Sequence, residues 1–189
     1  VGASIGFNLF WDKYSYDYGE HGKILNENSQ LKIKCELKNE NKSFSVKGKK
    51  LPLVVGRVGI DIDPPRIDDQ NSIRWIKSLI PPDDYKRHEL FDLAFAVTQK
   101  MKPKVLSGDA RILFPQIISE YKDKIPVLAF FSYSVNQIFS NGLDGLLALL
   151  EKCSETRPIY SIVVGFFGGE FPRIELIKFC DRKLTRKTM

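Results

Sequence analysis

The feature that most constrains this fold is a recurring alternation: a short apolar run closing on a polar bend, a stretch with helical spacing, then another run. Residues 53–62 are mostly apolar without strict alternation, as in a strand buried on both faces, and they close on Asp61, Asp63, Pro64 and Pro65. Residues 104–107 are a shorter run ending in Gly108 and Asp109. Residues 126–131 end in Ser132, Tyr133, Ser134, Val135 and Asn136, and residues 159–167 in Gly168 and Gly169. Between and around them lie the helical stretches. Residues 72–80 are stopped by Pro81 and Pro82. A helix opened by Asp83 and Asp84 carries Leu90, Leu93, Ala94, Val97 and Met101 on one face. A third holds Pro115 in its first turn, and a fourth, capped by Asn141, aligns Leu143, Leu146, Leu147 and Leu150. Residues 173–180 predict a final strand, antiparallel at the edge. Crossovers of this kind are right-handed. The pattern therefore predicts one Rossmann-like α/β domain over residues 1–189, a mostly parallel sheet with helices on both faces.

The chain opens on Val-Gly-Ala-Ser-Ile-Gly-Phe-Asn, two glycines and a serine followed by the apolar Leu9, Phe10 and Trp11. Such a turn between strand and helix lets a ligand lie against bare amides; it also occurs wherever two backbones merely approach closely. No strand precedes it. The expectation is an N-terminally truncated fragment lacking the first strand, whose absence exposes unpaired backbone on its neighbours; the alternatives are a strand borrowed from another chain or a rearranged sheet. Tyr14, Tyr16 and Tyr18 follow, suited to stacking on a ligand or to half-buried packing. Leu31, Ile33, Cys35 and Leu37 alternate with Lys32, Lys34, Glu36 and Lys38, and Phe44 with Val46 resumes the alternation after a turn at residues 39–42. This predicts a β-hairpin inserted at about residues 20–50.

Composition excludes several classes. No apolar run approaches the roughly 20 residues of a membrane helix, and no charged segment followed by an apolar one stands at the start, so neither a span nor a signal peptide is expected. Three widely spaced cysteines and two histidines, without a Cys-x-x-Cys pair, predict reduced thiols in a cytoplasmic protein and no metal site. A formal charge of +6 admits an anionic partner, but the cations gather in two knots, Lys47, Lys49 and Lys50, and Arg182, Lys183, Arg186 and Lys187. Such knots beside a turn or a chain end are ordinarily solvated surface, so nucleic acid is the less favoured partner.

Gly2-Ala3-Ser4-Ile5-Gly6-Phe7-Asn8-Leu9, Asp12-Lys13-Tyr14, Tyr16-Asp17-Tyr18-Gly19, Arg57-Val58-Gly59-Ile60-Asp61-Ile62-Asp63-Pro64, Trp75 and Gly108-Asp109-Ala110 resemble the bacterial family known as domain of unknown function 2332. The resemblance spans about the first two thirds of the chain. The order of its motifs is similar to that of S-adenosylmethionine-dependent methyltransferases. That likeness implies a cofactor, S-adenosylmethionine, held by Gly2, Ser4, Gly6 and Asn8 at its amino-acid end. It further implies Asp61 or Asp63 at the ribose and Asp109 at the adenine, with Ser132, Tyr133 and Asn136 lining a pocket for an unidentified methyl acceptor. Methyl transfer from a sulfonium depends chiefly on holding two reactants in line, so no dedicated catalytic side chain is implied. The alternative is a non-catalytic binding or scaffold protein on a degenerate version of the same fold.

Overall fold

The computed structural model describes residues 1–36, 44–122 and 124–188. The chain divides into two compact units, one made of Val1–Ser4, Gly59–Pro64 and Val105–Met189, the other of Ile5–Val58 and Pro65–Lys104.

In the second unit a 3-10 helix, Phe7–Lys13, leads into β1 (Ser15–Asp17), β2 (Lys23–Ile24) and β3 (Lys32–Lys34). β1 is central, antiparallel to β2 and parallel to β3. Phe10, Tyr14, Leu31 and Ala94 are buried together, with Phe7, Leu9 and Ile33 packed around them. Ala94 comes from α2 (Tyr85–Met101), which follows α1 (Gln70–Ser78). Asp69 and Asp84 accept hydrogen bonds from the first free amides of these helices, the use that short carboxylates serve at helix starts. Tyr14 and Tyr16 pack within this unit, Tyr14 donating to the Phe7 carbonyl and Tyr16 to that of Trp11, each at 2.7 Å.

The first unit contains β4 (Gly59–Asp61), β5 (Val105–Ser107), α3 (Ala110–Ser119), β6 (Val127–Ser132), α4 (Val135–Ile138), α5 (Leu143–Cys153), β7 (Ile159–Gly165), β8 (Arg173–Cys180) and β9 (Lys183–Thr188). β4 and β5 pair in parallel as one small sheet. β6-β7-β8-β9 form another, with β6 and β7 parallel and the remaining pairs antiparallel. Ala129, Phe131, Ile159, Val163, Ile177 and Phe179 point from this sheet into a core shared with Phe114 and Ile118 of α3 and Leu146 and Leu150 of α5.

This corrects the expected architecture. Among the described residues there are three separate sheets, and none is a mostly parallel Rossmann-like sheet with helices on both faces. Continuity fails between β4 and β6. Residues 1–4 run there with one bond to the backbone of each strand, Ala3 N–H to the Ile60 carbonyl at 3.1 Å and the Val1 nitrogen to the Phe130 carbonyl at 2.8 Å, so no ladder joins the two sheets. The second face of the larger sheet is covered only in part: Phe130, Ile162, Val164 and Leu176 are half-buried, whereas Leu128, Tyr160 and Ile174 are 51%, 39% and 39% exposed.

Other expectations fail locally. Residues 53–58 do not join the strand that follows: Leu53 and Val55 are exposed, and only Gly59–Asp61 pairs. β3 pairs with β1 in place of forming a hairpin with residues 44–46, and the turn at 39–42 lies outside the described residues. Pro115 sits inside α3, whose cap is Asp109, and α5 is capped by Gly142 and not by Asn141. The strand at residues 173–180 is antiparallel as expected, but β9 stands outside it at the edge.

Candidate functional site

In the first unit the carboxyl ends of β4 and β5 lie side by side, with Asp61 opposite Ser107. The Gly108 amide donates to the Asp61 carbonyl at 2.9 Å, which carries the chain directly from one strand end into Asp109. Ser107 Oγ donates to the Ile62 carbonyl at 3.0 Å and ties the two bends together. Onto this rim folds the glycine turn. The Ser4 amide donates to Asp61 Oδ2 at 2.8 Å, and the Asp63 amide to Asp61 Oδ1 at 3.2 Å. Ser4, Asp61 and Asp109, distant in sequence, thus belong to one rim.

The individual roles differ from one another. Asp61 orders both the glycine turn and its own bend through one bond to each oxygen, and an ionised carboxylate offers about four acceptor sites, so it keeps capacity for further donors. Asp63 is exposed beyond it. Asp109 is more fully engaged: it caps α3 through the Arg111 amide at 2.8 Å, and its carboxylate forms a fork with the Arg111 guanidinium at 2.5–3.0 Å. That side-chain bond, with the backbone bond behind it, holds the Asp109 carboxyl below the usual carboxylate range. Arg111 is a neighbour of the rim that the apolar pattern gives no reason to single out; an Asp-x-Arg step at a helix start is the one signal present.

Gly2 is left-handed at φ 66, and a Cβ there would lie 2.9 Å from the Ser134 Cβ. The close-approach reading explains it without a ligand. Ser4, at φ 49, adopts the same unusual region while its amide serves Asp61. Gly6 and Asn8 belong to the other unit. There Gly6 precedes the 3-10 helix at φ 88, where a Cβ would lie 2.9 Å from the Pro103 side chain, and Asn8 is an exposed residue of that helix.

Ser132, Tyr133 and Asn136 stand together at the carboxyl end of β6. Tyr133 donates its amide to the Val164 carbonyl at 2.7 Å, and Asn136 Nδ2 donates to the Phe166 carbonyl at 3.0 Å. Tyr133, Val135, Asn136, Val164, Gly165 and Phe166 enclose most of a hollow of about 70 Å³. Phe166 is the residue missed here; its place at the end of β7, facing Tyr133, depends on the parallel register of β6 and β7. All three cysteines are free, and burial pushes the Cys35 and Cys153 thiols up, away from thiolate chemistry. Among the described residues no group of His, Cys, Asp and Glu side chains could hold a metal ion, and no helix is long and apolar enough to cross a membrane.

The class so defined is a mixed α/β protein with a polar rim at the ends of parallel strand pairs. The chain belongs to the family described as "Uncharacterized protein conserved in bacteria (DUF2332)", whose model matches residues 1–174. The match therefore runs well past the first two thirds, through β7 and into the start of β8. No curated protein matches the chain, and no solved structure does.

Proposed function

We propose that the rim of the first unit binds a small adenosyl compound of the S-adenosylmethionine class, with methyl transfer to an unidentified small acceptor as the reaction it serves. The observation that carries this reading is the Asp61 carboxylate: it lies at the end of a parallel strand, is fixed by the Ser4 and Asp63 amides, and keeps acceptor capacity of the kind that takes the paired hydroxyls of a ribose. The fit is not uniform. Asp61 suits the sugar and the Ser4 turn suits a polar group beside it, whereas Asp109 could meet an adenine only by loosening its fork with Arg111. When bound, the compound would supply an electrophilic methyl group. The chain's own part would be to hold the ribose at Asp61 and position an acceptor near Tyr133 and Asn136.

Calorimetric titration of the full chain with S-adenosylmethionine and its demethylated product tests the reading. Binding is expected for both, with at least a tenfold loss in Asp61→Asn, which preserves the shape and one acceptor but removes the charge. Absence of heat and of any thermal shift at millimolar ligand would refute it. Binding without transfer to a broad panel of acceptors would leave a binding protein, the non-catalytic alternative.

A further inference from the structure

We propose that Tyr133 and Phe166 form a stacking platform for a planar aromatic ring, and hence that the compound received at the carboxyl ends of β6 and β7 is a small aromatic or heteroaromatic molecule. The inference rests on the preceding reading only in naming that molecule the methyl acceptor; the platform stands on its own side chains.

Tyr133 is 51% exposed and Phe166 46% exposed, yet they are not scattered surface aromatics. Their ring centroids are 5.9 Å apart and their planes meet at 50°, so the pair opens as a wedge with ring faces available to a third ring. Both partners are fixed from behind. The Tyr133 amide is tied to the Val164 carbonyl at 2.7 Å, and the backbone of Phe166 is held by the Asn136 side chain at 3.0 Å. The wedge is obtained at a cost: Tyr133 has φ 55, a left-handed conformation that a bulky side chain rarely adopts and that concentrates where a side chain must be aimed. A turn serving only to reverse the chain would be met by glycine or asparagine.

The size of the hollow limits what can enter. About 70 Å³ is well short of the roughly 300 Å³ at which a pocket begins to engulf a whole drug-sized ligand, so it admits the edge of one ring while the rest of the molecule stays outside. Stacking on an aromatic face tolerates many rings but requires flatness. Specificity would then fall to the Asn136 amide at the margin.

The test uses indole and quinoline, planar rings without a ribose, against cyclohexanol, which is not flat. In amide-resolved NMR titrations of the full chain, indole and quinoline are expected to shift Tyr133, Asn136 and Phe166 at millimolar concentration, and cyclohexanol to leave them in place. Tyr133→Phe should keep the affinity. Tyr133→Leu, which keeps bulk and backbone geometry but loses the ring, should weaken binding at least tenfold while the rest of the spectrum is unchanged. Asp61→Asn separates the two readings: it should weaken adenosyl binding at least tenfold and leave indole binding intact. Shifts confined elsewhere, equal binding of cyclohexanol, or an unaffected Tyr133→Leu variant would each overturn the platform.

Discussion

Tyr133 shows how much one residue's backbone can reveal. At φ 55 its side chain crowds the adjacent carbonyl, and such positions store about 1–3 kcal/mol. Glycine would release that strain while giving up some order in the unfolded chain, worth about 0.5–1 kcal/mol. Tyr133→Gly is therefore expected to raise the unfolding free energy by about 1 kcal/mol in urea denaturation, even though it removes the contact with Phe166. Tyr133→Ala keeps the strained φ and should not stabilise. A glycine variant no more stable than the alanine one would mean that φ 55 stores no strain here, and both variants falling well below the parent would mean that the turn depends on the tyrosine ring. Asp61 and Asp109 make a different contrast. Both are carboxylates at parallel strand ends, but Asp61 answers two amides and stays available, whereas Asp109 is taken up by its helix and by Arg111. Sequence position alone puts them on an equal footing; only the partners separate them.

Among elements, β9 needs explaining, because all its residues are exposed and nothing apolar holds it. Its anchor is Glu175 on β8, a carboxylate with 0% exposure that accepts from Arg186 Nε at 2.9 Å and from Thr188 Oγ1 at 2.9–3.0 Å, both on β9. The Arg186 side chain holds the Glu175 carboxyl below the ordinary range. Removing the guanidinium would leave a buried charge with the Thr188 hydroxyl alone, and Arg186→Met is expected to cost about 2 kcal/mol, discounted because Arg186 itself is partly exposed. The pH dependence has a definite sign. A carboxyl lowered in the folded state contributes stability above its unfolded pKa and loses it as pH falls through the folded one. In Arg186→Met the chief lowering cause is gone and burial dominates at the Glu175 carboxyl, so the variant's deficit should be largest near neutral pH and shrink as acid protonates Glu175, which denaturation midpoints measured from neutral to acid pH would reveal; a deficit that does not change with pH would show that the pair does not anchor the strand. Residues 31, 33 and 35 and the stripe of α5 were legible because one-sided burial imposes a period, and β6 and β7 because a core strand is a short continuous apolar run. Sheet continuity was not. Whether β4 and β6 join depends on hydrogen bonds from residues 1–4, and the exposed Leu53 and Val55 share the composition of a buried strand without its partners. The strand-end acids of the site were readable for the same reason as the runs they close, but Arg111 and Phe166 gained their places from a helix cap and a parallel register, which leave no periodic trace.

For the whole molecule, the formal charge of +6 invites a polyanion, yet several of the arginines are already engaged with carboxylates. Arg57 is forked onto Asp12, Lys77 onto Asp92 and Arg111 onto Asp109. In the tail knot, Arg182 pairs with Glu155 and Arg186 with Glu175. A nucleic-acid site needs cations free to displace counterions along a phosphate track, and its affinity falls steeply with salt because each neutralised phosphate releases an ion. Both knots are exposed, but Arg182 and Arg186 are taken up by carboxylates, which leaves Lys183 and Lys187 in the tail against Lys47, Lys49 and Lys50; the larger set, three lysines, can neutralise about three phosphates at most. Fluorescence anisotropy with single- and double-stranded oligonucleotides is expected to show only sequence-independent binding, weaker than about 10⁻⁶ M at physiological salt, with a log–log salt slope no steeper than about −3. A steeper slope would require more contacting cations than the lysine knot provides, and would redirect attention from the Asp61 rim to the tail, where Arg182 and Arg186 would have to exchange their carboxylate partners for phosphate.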